Sequence, residues 1–316
     1  MIAAADMGGS SWKLALMRDG VSLALEEVSR ASGDARHQRL RSMFESMCAK
    51  HGYDFGAVEG IGISIAELVD LQRNRLNSPV NSYQAMADIG FDELAFRPDM
   101  PVVAQNDAKC ALEGELAHGV LHDFADDPCL LIIYGSGIGV AFSVNGRIYD
   151  GANYAGGTFG GHLTVDMNGP LCMCGNRGCA EAMASGWVME KRLRERAGFE
   201  ASAVAKADKL DFEAVTNAAR AGDQFALDAL DHFIDVWAAH FGTLVHMLNP
   251  KAVALSGGFM RSSDLIVGPM LERTRARLWE PAYMPTVRLA DDPMLSTLRG
   301  CEVIARRAIA KRGEAA

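Results

Sequence analysis

The feature that most constrains the fold is an apolar strand followed by a glycine-rich turn, which the sequence contains more than once. One strand ending at Ala5 leads into Asp6-Met7-Gly8-Gly9-Ser10, and another ending at Tyr134 leads into Gly135-Ser136-Gly137-Ile138-Gly139. An apolar strand follows each turn, and a third apolar run leads into Ser256-Gly257-Gly258. A repeated element of this kind favours two similar α/β lobes whose glycine turns face each other across a cleft.

The order of the predicted elements divides the chain into two lobes. We expect an N-terminal α/β lobe over residues 1–118, joined by the C-terminal helix at about 292–316, and a C-terminal α/β lobe over 119–291. The larger, second lobe carries the cysteine-rich loop and the later glycine turns. Helices are predicted from apolar spacing at Asp34–Lys50, Ala180–Ala197, Phe212–Ala221, Gln224–Leu248 and Ser296–Lys311.

Composition and charge exclude several classes of protein. The 316 residues are 49% hydrophobic and 22% charged, which is typical of a globular protein with a large core. The net charge of −9 argues against a nucleic-acid partner, because binding to phosphates needs clustered Lys and Arg. The longest apolar stretch, Leu130–Val144, is interrupted by three glycines, and the N-terminus has no basic region of a secretion signal. We therefore expect a cytoplasmic protein without a membrane partner.

The first two glycine turns are candidate phosphate-binding sites. Gly8 and Gly9 allow the backbone amides to approach a ligand closely, and Ser10 adds a hydroxyl. Asp6 lies where a carboxylate can hold hydrated Mg²⁺ beside phosphates. Gly135-Ser136-Gly137 is the same kind of element. Neither turn has the Lys-Ser/Thr ending of a P-loop or the following helix of a dinucleotide-binding turn. Each alone is also compatible with an ordinary hairpin.

Asn106-Asp107 marks a second candidate site, because it joins the apolar strand Pro101–Ala104 to a helix. A carboxylate at this junction can be a helix cap, which is a purely structural role. It can also be a general base that takes a proton from a hydroxyl as that hydroxyl attacks a phosphoryl group. The residues at this junction leave both interpretations of Asp107 open.

The most specific signal is a cluster of cysteines. Cys172, Cys174 and Cys179 lie within eight residues, and Gly175 and Gly178 allow the loop to wrap tightly. His162 lies ten residues upstream and completes a Cys₃His set of the kind that holds Zn²⁺ tetrahedrally. Since four protein ligands leave no open position, we predict a structural zinc ion. A disulfide framework would instead spread its pairs along a short secreted chain.

Together these motifs resemble the ROK family of sugar kinases and related repressors, within the actin-like (ribonuclease H-like) superfamily. The resemblance runs in the family's order through Asp6-Met7-Gly8-Gly9-Ser10, Asn106-Asp107, Gly135–Gly139, Gly161-His162, Cys172–Glu181 and Ser256-Gly257-Gly258. It implies two actin-like lobes and an ATP-dependent transfer to the 6-hydroxyl of a hexose or N-acetylhexosamine by a homodimer. It also implies that Asp107 is the general base. Asn106, Glu181 and His162 would contact the monosaccharide, and Gly257 and Gly258 would contact adenosine.

Three positions depart from the family's pattern, all in the implied acceptor site. The family has a glutamate three residues before the histidine, where this chain has Phe159, or Thr158 if one glycine is inserted. Ala66-Glu67 replaces a common Pro-Gly, and Asn81 lies one place later than the family's sugar-contacting asparagine. A missing partner for a buried hydroxyl costs roughly 1–3 kcal/mol, which suggests an unusual acceptor sugar.

Two other classes of function remain as alternatives to the kinase. One is a non-catalytic sugar-binding or regulatory protein, which the acceptor-site departures favour. Family repressors carry an N-terminal winged helix, whereas this sequence begins directly at the first strand, so we expect no DNA binding. The other is an actin-like ATPase with a protein client, which the cysteine cluster disfavours. The sequence does not identify the sugar.

Overall fold

The computed structural model describes residues 1–8, 11–29, 39–77 and 86–315 of the chain. Three predicted site residues, Gly9, Ser10 and Asn81, therefore lie outside the described residues. The chain divides into two compact units: unit 1 comprises 1–127, 141–158 and 290–316, and unit 2 comprises 128–140 and 159–289. The boundary predicted near residue 118 and the facing arrangement of the lobes remain predictions.

The described chain contains twelve strands and eight α-helices. The strands are β1 (Ile2–Met7), β2 (Ser11–Arg18), β3 (Val21–Ser29), β4 (Gly60–Ile65), β5 (Val69–Asp70), β6 (Arg75–Leu76), β7 (Val102–Asn106), β8 (Cys129–Tyr134), β9 (Ile138–Val144), β10 (Arg147–Ile148), β11 (Ala252–Ser256) and β12 (Thr286–Leu289). The helices are α1 (Leu40–His51), α2 (Asp107–His118), α3 (Ala180–Ala184), α4 (Gly186–Arg194), α5 (Phe212–Arg220), α6 (Gln224–Leu248), α7 (Ser263–Arg277) and α8 (Pro293–Ala315).

Unit 1 is built on a mixed sheet with the strand order β3-β2-β1-β4-β7. Strand β1 pairs antiparallel with β2 and parallel with β4, and β4 pairs parallel with β7. All six residues of β4 are buried, as expected for a central strand that is covered on both faces. The sheet therefore brings the carboxyl ends of β1, β4 and β7, and with them Asp6 and Asn106, to one edge.

Helix α2, which begins at Asp107, packs closely against α8. Glycines make this approach possible, because a Cβ at Gly114 would lie 1.9 Å from the carbonyl oxygen of Ser296, and one at Gly300 would lie 1.8 Å from that of Cys110. The bidentate pair between Arg307 and Glu113 adds a polar contact between the helices, with distances of 2.7 and 2.9 Å. The first turn of α2 thus rests on a tightly packed pair of helices.

Unit 2 repeats part of this arrangement with the strand order β9-β8-β11-β12, in which the residues Ile138–Val140 of β9 belong to the unit. Strand β11 pairs in parallel with both β8 and β12. The long helix α6 buries Trp237, which packs against Tyr134 and Phe212 at centroid distances of 5.4 and 5.5 Å. The predicted α/β fold is confirmed, and the structure shows in addition that the sheets are mixed.

One predicted helix is wrong. The helix expected over Ala180–Ala197 is broken at Ser185, whose backbone is extended with φ −113° and ψ 167°, and two helices, α3 and α4, replace it. The break has a physical reason, since the amides of Gly186 and Trp187 at the start of α4 donate to the carbonyl oxygens of Gly135 and Ser136. Helix α7 and strand β12 were not predicted at all.

Across the part of the chain that the structure describes, no helix is both long and apolar enough to cross a lipid bilayer.

Candidate active site and metal centre

Asp107 is the first residue of α2, and the residue before it forms the helix cap. The side chain of Asn106 accepts hydrogen bonds from the amides of Ala108 and Lys109, at 3.1 and 3.4 Å. Asp107 Oδ1 also accepts from the amide of Ala108, at 2.8 Å. Because Asn106 already caps the helix, the carboxylate of Asp107 is not needed for that role. This geometry weakens the purely structural interpretation of Asp107.

The surroundings of Asp107 make it a stronger base than an ordinary carboxylate. Burial and the negative charge of Asp6 raise its pKa, and hydrogen bonds from Ala108 and Asn106 lower it, with the net result that the pKa rises from 3.8 to about 6. A base with a pKa close to the working pH is mostly ionised and still takes up a proton readily. The carboxyl group of Asp107 is therefore suited to removing a proton from a hydroxyl group.

Asp6 is the last polar residue of β1 and lies next to a serine and a lysine. Its Oδ1 accepts a hydrogen bond of 2.9 Å from Ser64, and its Oδ2 lies 3.7 Å from Nζ of Lys13 on the paired strand β2. Burial raises the pKa of Asp6, whereas Ser64 and Lys13 lower it. The carboxylate of Asp6 has the chemistry to hold hydrated Mg²⁺. In the adjoining turn, a Cβ added at Gly8 would lie only 2.8 Å from the carbonyl oxygen of Ser11.

In unit 2, the turn between β8 and β9 opens onto a cavity of about 700 Å³. Three predicted residues, Gly135, Ser136 and Gly258, line this cavity. Gly257, which precedes the last of them, has φ +98°, and a Cβ there would lie 2.3 Å from the carbonyl oxygen of Tyr134. Only glycine allows this close approach of β8 and the end of β11. Of the predicted nucleotide contacts, Gly135, Ser136 and Gly258 lie in the wall of this cavity, whereas Gly137 and Gly257 are not part of its lining.

The other residues that line the cavity were not predicted from the sequence. Phe212 stacks on Phe259 with a centroid distance of 4.1 Å, and Lys209 forms an ion pair of 2.9 Å with Asp211. The half-exposed ring of Trp187 also contributes to the lining. Trp187 lies on α4, Lys209, Asp211 and Phe212 lie on or just before α5, and Phe259 follows β11. The sequence carries no signal that joins these segments. The lining combines aromatic faces with charges and backbone amides, which suits a nucleoside.

The predicted ligands of the metal site do come together. The sulfur atoms of Cys172, Cys174 and Cys179 and a ring nitrogen of His162 all lie within 4.8 Å of one another. Nδ1 of His162 lies 3.5 Å from the sulfur of Cys172, and the sulfurs of Cys174 and Cys179 are 3.6 Å apart. A tetrahedral zinc site with Zn–S bonds of about 2.3 Å has S–S edges of about 3.8 Å, so the four side chains fit a Cys₃His zinc site.

The local backbone and the thiol chemistry support the same conclusion. Gly175 and Gly178 both have positive φ, at +91° and +64°, and a Cβ at Gly178 would lie 1.6 Å from the carbonyl oxygen of Asp166. Burial and the neighbouring thiols raise the pKa of Cys179 to about 12. Three crowded sulfur atoms lose their protons together only when a cation compensates their charge. The cluster is therefore a candidate centre for one metal ion.

Glu181 connects the metal centre to the second glycine turn. Its Oε2 accepts a hydrogen bond of 2.8 Å from the amide of Ile138, directly after Gly137. Its Oε1 lies 3.9 Å from Nε2 of His162, the nitrogen opposite the one that faces Cys172. The histidine thus presents one nitrogen to the cluster and the other to a carboxylate. The role of Glu181 in holding the turn was not predicted.

The two residues at the position of the family's glutamate differ in their surroundings. The Oγ1 of Thr158 is buried and has no hydrogen-bond partner among the described residues. Phe159 is 54% exposed, and its ring lies 6.2 Å from that of His162. A buried hydroxyl without a partner is rare in proteins, because it loses its bonds to water and gains none in return. A hydroxyl group of a ligand would satisfy Thr158, whereas Phe159 offers only an apolar surface.

The fold and the candidate residues define an α/β protein with mixed sheets, a partly buried carboxylate at a strand–helix junction and a Cys₃His cluster. A sequence profile described as the ROK family matches residues 2–307, and the chain belongs to this family.

Relatives with known names include both enzymes and regulators. The chain is 32% identical to a glucokinase of Thermotoga maritima over 65% of its own length and 65% of that protein. It is 28% identical to the xylose repressor of Bacillus subtilis over 70% of its length and 53% of the repressor. The chain thus spans less than two thirds of the length of these relatives.

The fold itself is shared over almost the whole chain with a solved structure. A ROK family glucokinase from Streptomyces griseus, solved in complex with glucose and AMPPNP, superimposes with a TM-score of 0.77. The superposition covers 97% of this chain and 99% of that one, with 24% sequence identity.

Proposed function

We propose that the protein is an ATP-dependent kinase that phosphorylates a hydroxyl group, the 6-hydroxyl, of a hexose or an N-acetylhexosamine. The observation that carries the proposal is Asp107, a carboxylate with a pKa of about 6 whose helix is already capped by Asn106. The named kinases among the relatives and the ATP analogue bound to the related glucokinase support the same class of reaction.

In this proposal, Asp107 accepts the proton of the acceptor hydroxyl while the hydroxyl oxygen bonds to the γ-phosphorus of ATP. The bond from that phosphorus to the β–γ bridging oxygen breaks, and ADP leaves. Mg²⁺, held through its waters by Asp6, would neutralise charge on the phosphates. The ring faces and charges of the unit 2 cavity would bind the nucleoside, with Gly135, Ser136 and Gly258 in its wall.

We assign the acceptor sugar to Asn106, Glu181, His162 and Thr158. Support comes from the buried unpaired hydroxyl of Thr158 and from the second nitrogen of His162, which is not used by the thiol cluster. Asn81, Gly9 and Ser10 keep the roles that the resemblance implies, as sugar and phosphate contacts. A threonine in place of a carboxylate offers a weaker acceptor of hydrogen bonds, so the preferred sugar is expected to differ from that of family members with the glutamate.

We further propose that His162, Cys172, Cys174 and Cys179 hold one structural Zn²⁺ ion. The ion would fix the ring of His162, and through it Glu181, without taking part in phosphoryl transfer. We also propose that the protein is a cytoplasmic homodimer that does not bind nucleic acid. A cluster of reduced thiols suits a reducing compartment. Sedimentation velocity at several concentrations tests the dimer.

The proposed activity is tested by measuring ADP release with a panel of acceptors. We expect release to depend on one sugar among glucose, fructose, N-acetylglucosamine, N-acetylmannosamine and less common epimers, and to disappear in Asp107→Asn. Sugar-independent ADP release, or turnover unchanged in Asp107→Asn, would contradict the proposal.

A second candidate function is a sugar-binding regulator without catalysis. The similarity to a repressor and the replacement of the family's glutamate by Thr158 or Phe159 favour it. Isothermal titration with the same panel separates the two functions. Heat of binding for a sugar that produces no ADP, in the presence of MgATP, would favour the regulator.

A further inference from the structure

Helix α2 contains a lysine that the proposed reaction does not use. Lys109, two residues after Asp107, is completely buried. Its ammonium group donates to Oδ1 of Asp150 and to the carbonyl oxygen of Tyr154, each at 2.8 Å. Lysine is almost never fully buried unless it is paired, because moving its charge out of water is unfavourable. Such a lysine has a definite role in the folded protein.

Both partners of Lys109 lie in one segment, residues 149–158, which ends at Thr158. The segment folds back on itself, since the amide of Gly156 donates to the carbonyl oxygen of Asp150 at 2.8 Å. A Cβ at Gly156 would lie 2.7 Å from three main-chain atoms of residues 149–151. Tyr154 has a positive φ of +60°, a conformation that few side chains adopt without external support. Lys109 supplies that support through the carbonyl group of Tyr154.

A second side chain, that of Gln105 two residues before Asp107, also binds the carboxylate of Asp150. Nε2 of Gln105 donates to Oδ1 of Asp150 at 3.4 Å. The stretch Gln105–Lys109 therefore presents Asp107 and also binds Asp150. As a result, any displacement of segment 149–158 relative to the start of α2 would have to break the bonds made by Gln105 and Lys109.

We propose that Lys109 is a positioning residue that holds segment 149–158, and with it Thr158, in register with Asp107 for binding of the acceptor sugar. This inference rests on the proposed function for its catalytic consequence. The structural part of the inference, that one buried ammonium group immobilises the segment, is independent of the proposed function. The inference predicts that Lys109 affects the sugar more than ATP, because neither Asp150 nor Tyr154 belongs to the proposed nucleotide site.

The chain provides a matched control for a purely structural role. Arg307 forms the bidentate pair with Glu113, which also ties α2 to another element. The charge of Asp150 acts on Arg307, but both of these hydrogen bonds go to Glu113 and neither goes to segment 149–158. Lys109→Met removes a cation from α2, and Arg307→Met removes a cation from α8, the helix that packs against α2. If Lys109 only stabilises the fold, the two variants will behave alike.

The first measurement is hydrogen exchange of the full-length protein without ligand, followed by mass spectrometry. We expect peptides covering 149–158 to exchange at least about tenfold faster in Lys109→Met than in the wild type or in Arg307→Met. Since Lys109→Met leaves Asp150 without its cation, Lys109→Met/Asp150→Asn is measured as well, and we expect the same fast exchange. Wild-type exchange rates in this segment for the double variant would overturn the inference.

The second measurement is steady-state kinetics with each sugar of the panel that supports turnover. For the double variant we expect the KM for the sugar to rise about tenfold, with the KM for ATP within twofold of the wild type. Equal changes in both KM values, as expected for Arg307→Met, would overturn the positioning role. If the wild type releases no ADP with any sugar, the proposed function fails, and hydrogen exchange still decides whether Lys109 holds the segment.

Discussion

The surroundings of Asp107 and the Cys₃His cluster deal with buried charge in opposite ways. At Asp107 burial and Asp6 disfavour the ionised form, and the hydrogen bonds from Ala108 and Asn106 offset this only in part. At the cluster, four ligand atoms surround one point and suit a cation that would compensate their charge. The comparison leads us to expect that an unfavourable charge is kept at Asp107, where a proton is proposed to move, and is neutralised at the cluster, where a metal ion is proposed to support the fold.

The largest effect is expected from Asp107→Asn, which removes the base without removing the cap. We predict that kcat falls by about 10²–10⁴, the usual contribution of general-base catalysis. The change is measured by sugar-dependent ADP release, with the exposed Asp123→Asn as the control. Turnover within tenfold of the wild type would show that Asp107 is not the base, and the contrast between the two regions would no longer hold.

The next largest effect concerns the cluster. We predict that Cys179→Ser loses one equivalent of zinc, measured by elemental analysis, and lowers the free energy of unfolding by about 4 kcal/mol. That value is the stabilisation expected from a site filled at a thousand times its Kd. Cys48→Ser, at a buried cysteine outside the cluster, is the control and should keep the metal. Unchanged metal content in Cys179→Ser would contradict the assignment of the ligands.

The contrast is sharpened by the effect of Asp107→Asn on stability. The pKa of Asp107 is raised in the folded state, from 3.8 to about 6, so its contribution to stability is complete below pH 3.8 and is lost as the pH rises through 6. Removing the group should therefore stabilise the protein at pH 7–8 by up to about 3 kcal/mol, and not at pH 3.8 or below. Urea unfolding at several pH values measures the difference. A variant less stable than the wild type at pH 8 would contradict this prediction.

A smaller effect is the pH dependence of the reaction. Since only ionised Asp107 accepts a proton, kcat/KM for the sugar should rise with pH and level off above about 6. At pH 5 we expect roughly one tenth of the plateau value. A profile that is flat between pH 5 and 7 would show that the ionisation of this carboxyl group does not limit the reaction.

Features that depend on neighbouring residues could be predicted from the sequence. The four proposed metal ligands lie within a short segment, and the structure brings them together as predicted. The glycine turns and the Asn106-Asp107 junction are local features as well, and their proposed chemistry stays a prediction. The pairing of Lys109 with Asp150 and Tyr154 depends instead on segments that are distant along the chain. No periodicity records such a contact.

The break at Ser185 illustrates the same limit. The sequence over Ala180–Ala197 has helical spacing throughout, and local propensity predicts a single helix. Two amides at the start of α4 bind the carbonyl groups of Gly135 and Ser136, and this long-range contact outweighs local preference. The cavity that these residues line was missed for the same reason, because aromatic and charged residues from separate helices meet only in the folded chain.

The short spacing of the four proposed metal ligands, His162, Cys172, Cys174 and Cys179, has a consequence for folding. His162 and Cys179 are separated by only seventeen positions (179 − 162), whereas the pairing of β1 with β4 joins residues nearly sixty positions apart. Closing a short loop costs less chain entropy than closing a long one. We therefore expect segment 162–179 to become ordered around the proposed metal ion at a smaller entropic cost than that of pairing β1 with β4.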